Sequence, residues 1–153
     1  MTAHDVLQRS SLFKDFTETG LKIFASVAVE RVVLAGAPLF VEATVGESLF
    51  IVKSGTVRIT QKAEKAEREL GVLGPGEHLG ALALLARSTR LVSAVAATDC
   101  ELVELTQRDF ARLQPQKPQA CLKLALAIAA DLAARVGENR ELVRELAPRK
   151  PAG

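Results

Sequence analysis

"LGPGEHLGALALLARSTRLVSAVAATDCELVEL", residues Leu73 to Leu105, places a Gly-rich turn, a short apolar segment, a polar loop with an arginine and then strand-forming sequence in immediate succession. Gly74-Pro75-Gly76 and Gly80 punctuate the chain before a run too short for a long helix. Arg90 follows at the end of the polar loop. A tight backbone turn, the start of a helix and an arginine are the parts from which a phosphate site is built, because unpaired N–H groups and a guanidinium both favour an anion. "LVSAVAATDCELVEL" then supplies two strands, turned at Thr98-Asp99.

Upstream, "ERVVLAGAPLFVEATVGESLFIVKSGTVRITQK" is β-branched and alternating. It is broken at Gly36-Ala37-Pro38, Gly46-Glu47-Ser48 and Ser54-Gly55. Short, evenly punctuated strands of this kind suggest a small barrel or jelly roll. "QKAEKAERELG" reads as a charged, exposed hairpin tip. The opening, "HDVLQRSSLFKDF" and "TETGLKIFASVA", reads as helix over residues 4–28, with Thr17 or Thr19 able to cap and Leu21, Phe24 and Val27 in an apolar stripe. The expected fold class is therefore mainly β with flanking helices: an eight-stranded β-roll or jelly-roll barrel over residues 29–105, in a single domain spanning residues 1–147.

Helices are expected again over residues 107–147. "TQRDFARLQPQKP" is a short helix capped by Thr106 and ended by Pro115 and Pro118. From Gln119 to about Leu146 runs one long helix. Leu122, Ala125, Ala129, Leu132, Val136, Asn139, Val143 and Leu146 recur in alternating steps of three and four, a heptad seam in which Asn139 would fix register. Leu124 and Ile128 point elsewhere, back to the barrel. Two apolar stripes allow the helix to cover its own domain and to meet a partner, and a homodimer through this helix is expected. One stripe alone would serve only the domain's own core. Residues 148–153, "PRKPAG", read as a disordered tail.

Composition narrows the function classes. The chain has 153 residues, 48% hydrophobic and 25% charged, which is enough for one real core. A net charge of +2 does not imply nucleic acid, and with no Trp or Tyr there is little to stack on bases. Cys100 and Cys121 have no metal-ligand spacing and read as small buried hydrophobes, which fits a reducing compartment. The N-terminus lacks the apolar core of a signal peptide. "ACLKLALAIAADLAA" is short for a span and carries Lys123 and Asp131, so no membrane insertion is expected and the protein is read as cytoplasmic. No nucleophile, base and acid come in series; His4 lies near an end and His78 reads as a packing residue. An enzyme is not expected, nor a metal or cofactor.

The ordered series "LFIVKSGTVRI", "LGPGEHLGALALL" and "STRLVSAVAATDCELVEL" resembles the cyclic-nucleotide-binding domain of catabolite activator proteins, protein-kinase regulatory subunits and gated channels, over about Leu12 to Leu146. In that family the phosphate-binding cassette is similar to Phe-Gly-Glu-(Leu/Ile)-(Ala/Ser)-Leu, then a loop, then Pro-Arg-(Ala/Ser/Thr)-(Ala/Ser). The resemblance implies that amides and the arginine hold the phosphate, while the glutamate accepts the ribose hydroxyl.

Gly80 matches the cassette glycine, Leu82, Ala83 and Leu84 the helix, and Arg90 the arginine. Ala81 replaces the glutamate. Losing a hydrogen bond to a charged group costs on the order of 1.5–3 kcal/mol, or roughly ten- to a hundredfold in affinity. Leu91 replaces the small residue and either crowds the phosphate pocket or turns toward the barrel interior; Thr89 replaces the proline. Arg135 and Val136 fall near where the family contacts the base. Arg135 is placed to stack on a purine, to fill the vacant pocket or to face solvent. For Arg90 the alternative role is an internal salt bridge, for example with Glu47 or Glu77.

Two expectations follow. One is a non-catalytic regulatory module that has lost high-affinity cyclic nucleotide binding and acts on an unidentified protein partner. The other is a sensor of cyclic AMP, cyclic GMP or another phosphate ligand at Gly80, Ala81, Leu82, Ala83, Arg90 and Leu91. Relatives that bind DNA carry a helix-turn-helix after the long helix. The sequence gives no room for one before Gly153, so no DNA contact is expected.

Overall fold

The structure, a computed structural model, describes residues 1–138. Asn139, Val143, Leu146 and the tail at 148–153 lie outside the described residues. Helix α1 (Ala3–Arg9) is closed by a Thr2/Asp5 capping box and followed by a 3-10 turn (Ser11–Phe13). Helix α2 (Glu18–Val27) is capped by Thr17, whose hydroxyl accepts from the Gly20 amide; of the two candidate threonines it is Thr17 that caps. Phe13, Phe16 and Phe24 cluster in edge and tilted contacts, with centroids 4.8–5.8 Å apart.

The strands run β1 (Val29–Val33), β2 (Pro38–Phe40), β3 (Val45–Gly46), β4 (Ser48–Ser54), β5 (Val57–Lys62), β6 (Glu67–Leu73), β7 (His78–Leu79), β8 (Ser88–Thr89), β9 (Ser93–Ala96) and β10 (Cys100–Thr106). They form one antiparallel sheet in the order β1-β10-β4-β7, a second in the order β2-β9-β5-β6, and a small β3-β8 ribbon. This is the jelly-roll fold, as an open roll of two sheets and not a closed barrel. Ten strands stand among the described residues where eight were expected; β3, β7 and β8 are two-residue pairings, short enough to leave little period in the sequence.

Strand β4 is buried along both faces, since alternate side chains serve different cores. Leu49 and Ile51 join the cluster beneath the helices, with Leu7, Phe13, Phe24, Leu124 and Ile128. Phe50 and Val52 join the interior of the roll, with Val57, Leu79, Ala94 and Leu102. Gly55, after β4, adopts φ +86°, and a Cβ there would stand 2.3 Å from the Asp99 carbonyl oxygen; only glycine makes this turn.

Helix α3 (Leu82–Leu85) packs through Leu84 on the cluster beneath the helices. Helix α4 (Gln107–Leu113) is capped by Thr106, and helix α5 runs Pro118–Glu138. Leu124 and Ile128 of α5 are wholly buried, facing the roll and α1–α2.

Candidate functional site

The turn into α3 is set by Gly80, at φ +78°. Ala81 occupies the cap position, 7% exposed, with no side chain to accept a hydrogen bond. The Ala83 amide donates to the Gly80 carbonyl and the Leu84 amide to the Ala81 carbonyl, each at 3.1 Å. Part of the cassette's amide array is therefore satisfied by the turn itself.

Arg90 turns inward. Its Nη2 donates to the Ser48 carbonyl at 2.8 Å and Nη1 to the Gly80 carbonyl at 3.3 Å; the guanidinium carbon lies 4.1 Å from the centre of the Phe40 ring. The backbone is clamped as well. The Arg90 amide donates to the Thr44 carbonyl, and the Arg90 carbonyl accepts from Ala43, a non-glycine at φ +69°. Two glycines make the space: a Cβ on Gly46 would sit 2.8 Å from Arg90 Nε, and one on Gly80 would sit 2.4 Å from Nη1. Nε itself is buried with no acceptor. Burial holds the guanidinium below its ordinary pKa, with the Glu104 carboxylate acting the other way.

The hydrogen-bond partners of the Arg90 guanidinium are thus carbonyls, and neither Glu47 nor Glu77 is among them; Glu77 instead accepts from the Gly74 amide within its own turn. The nearby acid is Glu104, buried on β10. Its Oε2 accepts from the Ser48 hydroxyl at 2.6 Å and its Oε1 from Arg31 Nε at 2.8 Å. Arg90, Ser48, Glu104 and Arg31 form one continuous polar chain across the sheet.

Leu91 neither crowds the cassette nor enters the roll. It is 70% exposed, and its carbonyl accepts from Gln61 Nε2. Leu82 is half-exposed and Ala83 buried. Arg135 bonds along its own helix, with Nε donating to Asp131 Oδ2 at 2.9 Å. That same oxygen lies 3.0 Å from Nε2 of His78, a buried ring on β7. His78 therefore packs, as read from the sequence, and also bonds to α5.

On α5 the exposed apolar side chains are Leu122, Leu126, Ala129, Ala130, Ala133, Ala134 and Val136. Of these, Leu122, Leu126, Ala129, Ala133 and Val136 recur in steps of four and three along the face away from the core. Ala125 and Leu132, expected in the seam, are instead half-buried, and Leu132 packs on the core beneath the helices. Leu122, Ala129 and Val136 are exposed as expected, while Leu126 and Ala133 stand in the row for Ala125 and Leu132, because Leu124, Ile128 and Leu132 together take the inner face. Sequence reasoning missed Phe40, Ala43, Gly46, Ser48, Glu104 and Asp131 as parts of the site. Only Gly46 left a signal, as a break between strands. Among the described residues no His, Cys, Asp and Glu cluster could hold a metal ion, and no helix is long and apolar enough to cross a membrane.

Residues 30–116 match the model of the cyclic nucleotide-binding domain family. The chain is 33% identical over 124 residues to the cyclic AMP receptor protein of Thermus thermophilus, covering 80% of this chain and 57% of that protein. Among solved structures it is similar to the N-terminal domain of a transcriptional regulator from Streptomyces coelicolor, at 27% identity and TM-score 0.78, covering 86% of this chain and 94% of that one. It is also similar to the regulatory domain of Toxoplasma gondii PKA in complex with cAMP, at 31% identity and TM-score 0.66, covering 72% of this chain and 42% of that one. It thus spans little more than half of the receptor protein and less than half of the PKA chain.

The Asp131 carboxyl yields a pH prediction. Burial alone would raise its pKa; the hydrogen bond and charge from His78, with Arg135, outweigh burial and hold it below the ordinary value. A lowered folded pKa means stability that is present above the unfolded value and lost as pH falls through the folded one. Denaturant unfolding should show Asp131→Asn less stable than the parent by about 1 kcal/mol at neutral pH, with the gap closing below about pH 4. A gap that persists unchanged into acid would contradict the assignment.

Proposed function

The chain belongs to the cyclic nucleotide-binding domain family, and we propose that it acts there as a non-catalytic regulatory domain that works through protein contacts and does not bind cyclic nucleotide with high affinity. The observation that carries this reading is the state of Arg90. Its guanidinium is engaged by the Ser48 and Gly80 carbonyls and by Phe40. A phosphate would have to draw the guanidinium away from both carbonyls, in a cassette where Ala81 offers no carboxylate to the sugar. Two weakened anchors compound: each charged hydrogen bond forgone is worth on the order of 1.5–3 kcal/mol.

The exposed stripe on α5 supplies the output surface. Leu122 and Leu126 are about three-fifths exposed, and Ala129, Ala133 and Val136 continue the row at heptad spacing. Two such helices pack knobs into holes, so the occupant proposed for this face is a second copy of the chain. Sedimentation at tens of micromolar should give a dimer, and Leu126→Asp a folded monomer. A parent chain that stays monomeric would overturn the dimer.

A second reading, a sensor of a cyclic nucleotide or another phosphate ligand, is favoured by two observations. Leu91 points to solvent and leaves the cassette uncrowded, and Arg90 Nε is a buried donor without an acceptor. Isothermal titration with cyclic AMP and cyclic GMP separates the two. The proposed reading expects no saturable heat tighter than about 1 mM. Micromolar binding that disappears in Arg90→Gln would establish the sensor instead.

A further inference from the structure

His78 is the first residue of β7, the strand that leads into the cassette turn, and only 4% of it is exposed. Its Nε2 lies 3.0 Å from Asp131 Oδ2 on α5. The pair therefore joins the cassette's own strand to the helix that carries the exposed stripe. Its position along α5 matters. The wholly buried or nearly buried anchors, Cys121, Leu124 and Ile128, end one turn before it, and Leu132 is only half-buried. Near the point where apolar anchoring fades, a polar contact takes over.

A carboxylate only accepts, so Nε2 carries the proton in the neutral ring and a second proton is taken at Nδ1. The carboxylate already makes this a charge-assisted bond, and protonation adds a second charge, turning the hydrogen bond into an ion pair. The other charged groups around the ring have partners of their own. Arg135 shares Asp131 from the solvent side. Glu77, next in sequence, accepts from the Gly74 amide. On β4, which pairs with β7 through Ile51, Lys53 is placed between Glu30 and Glu101. On α1, Asp5 closes the capping box and His4 faces Glu18. Among the described residues, Asp131 is the acid that bonds to the ring.

We propose that His78 and Asp131 form a proton-sensitive latch: gain of a proton by His78 tightens the hold of the roll on the second half of α5, and its loss loosens that hold. This goes beyond the regulatory reading by naming an input, the proton, that needs no nucleotide.

Hydrogen exchange on nucleotide-free protein tests it, reading the amides of residues 120–136 and correcting for intrinsic exchange at each pH. From pH 8 to 5.5 the opening of the second half of α5 should fall roughly fivefold in the parent, the worth of the added ion pair. His78→Gln, which keeps a donor but cannot titrate, should show no such change, and nor should Asp131→Asn. If His78→Gln does not fold, Asp131→Asn decides alone. A parent helix that ignores pH, or one whose response both variants share, would overturn the latch. Because the readout is local protection of α5, it stands or falls separately from the nucleotide titration.

Discussion

The guanidinium of Arg90, held between two glycines, is the contact on which the middle of the molecule depends. Gly46 and Gly80 lack a Cβ because the arginine occupies that space, and the Ser48 and Gly80 carbonyls are paired because it is there. Buried carbonyls without partners are costly, so one side chain settles the ends of β3 and β4 and the cassette turn together. The same group lies on Phe40, which contacts Phe50 inside the roll at 6.2 Å between ring centres. Through Ser48 and Glu104 the chain continues to Arg31 on β1, at the far edge of the first sheet. A residue type that suits an anion site is used here as a fastener.

The sheet beneath it works on two sides. Because β4 and β10 send alternate side chains into the helical core and into the roll, a shift of either strand is felt in both. Helix α3 carries Ala81 and Leu84 into the helical cluster, and β7 brings His78 to α5. The cassette and the long helix are thus mechanically joined by packing and by one hydrogen bond, whether or not a ligand is present. What α5 presents outward, a regular apolar stripe, is the natural place for that state to be read.

The roll was legible in the sequence because its turns are marked by Gly and Pro and its strands by β-branched alternation. Leu124 and Ile128 were assigned to the core from spacing alone, as found. Thr106 was legible as a cap for the same local reason. The site was less so. Arg90 could be located, but its partners are carbonyls, and backbone acceptors leave no trace in side-chain identity. Glu47 and Glu77 looked eligible only because charge is visible in a sequence and a folded-back carbonyl is not. Leu91 was judged by its bulk, whereas it sits in the bend between β8 and β9 and faces solvent. The seam on α5 held at Leu122, Ala129 and Val136 but not at Leu132, which had two eligible faces, and burial of Leu124 and Ile128 decides which one it takes.

The central claim is that Arg90 is structural, and ligand-free unfolding tests it most directly. Equilibrium denaturation of Arg90→Ala against the parent, with no nucleotide present, should show a loss of about 2 kcal/mol, the cost of orphaning two carbonyls and emptying the space between the glycines. An arginine kept in reserve for an anion contributes little to the unliganded fold. Unchanged or increased stability on its removal would contradict the account and return the cassette to the role of a receptor.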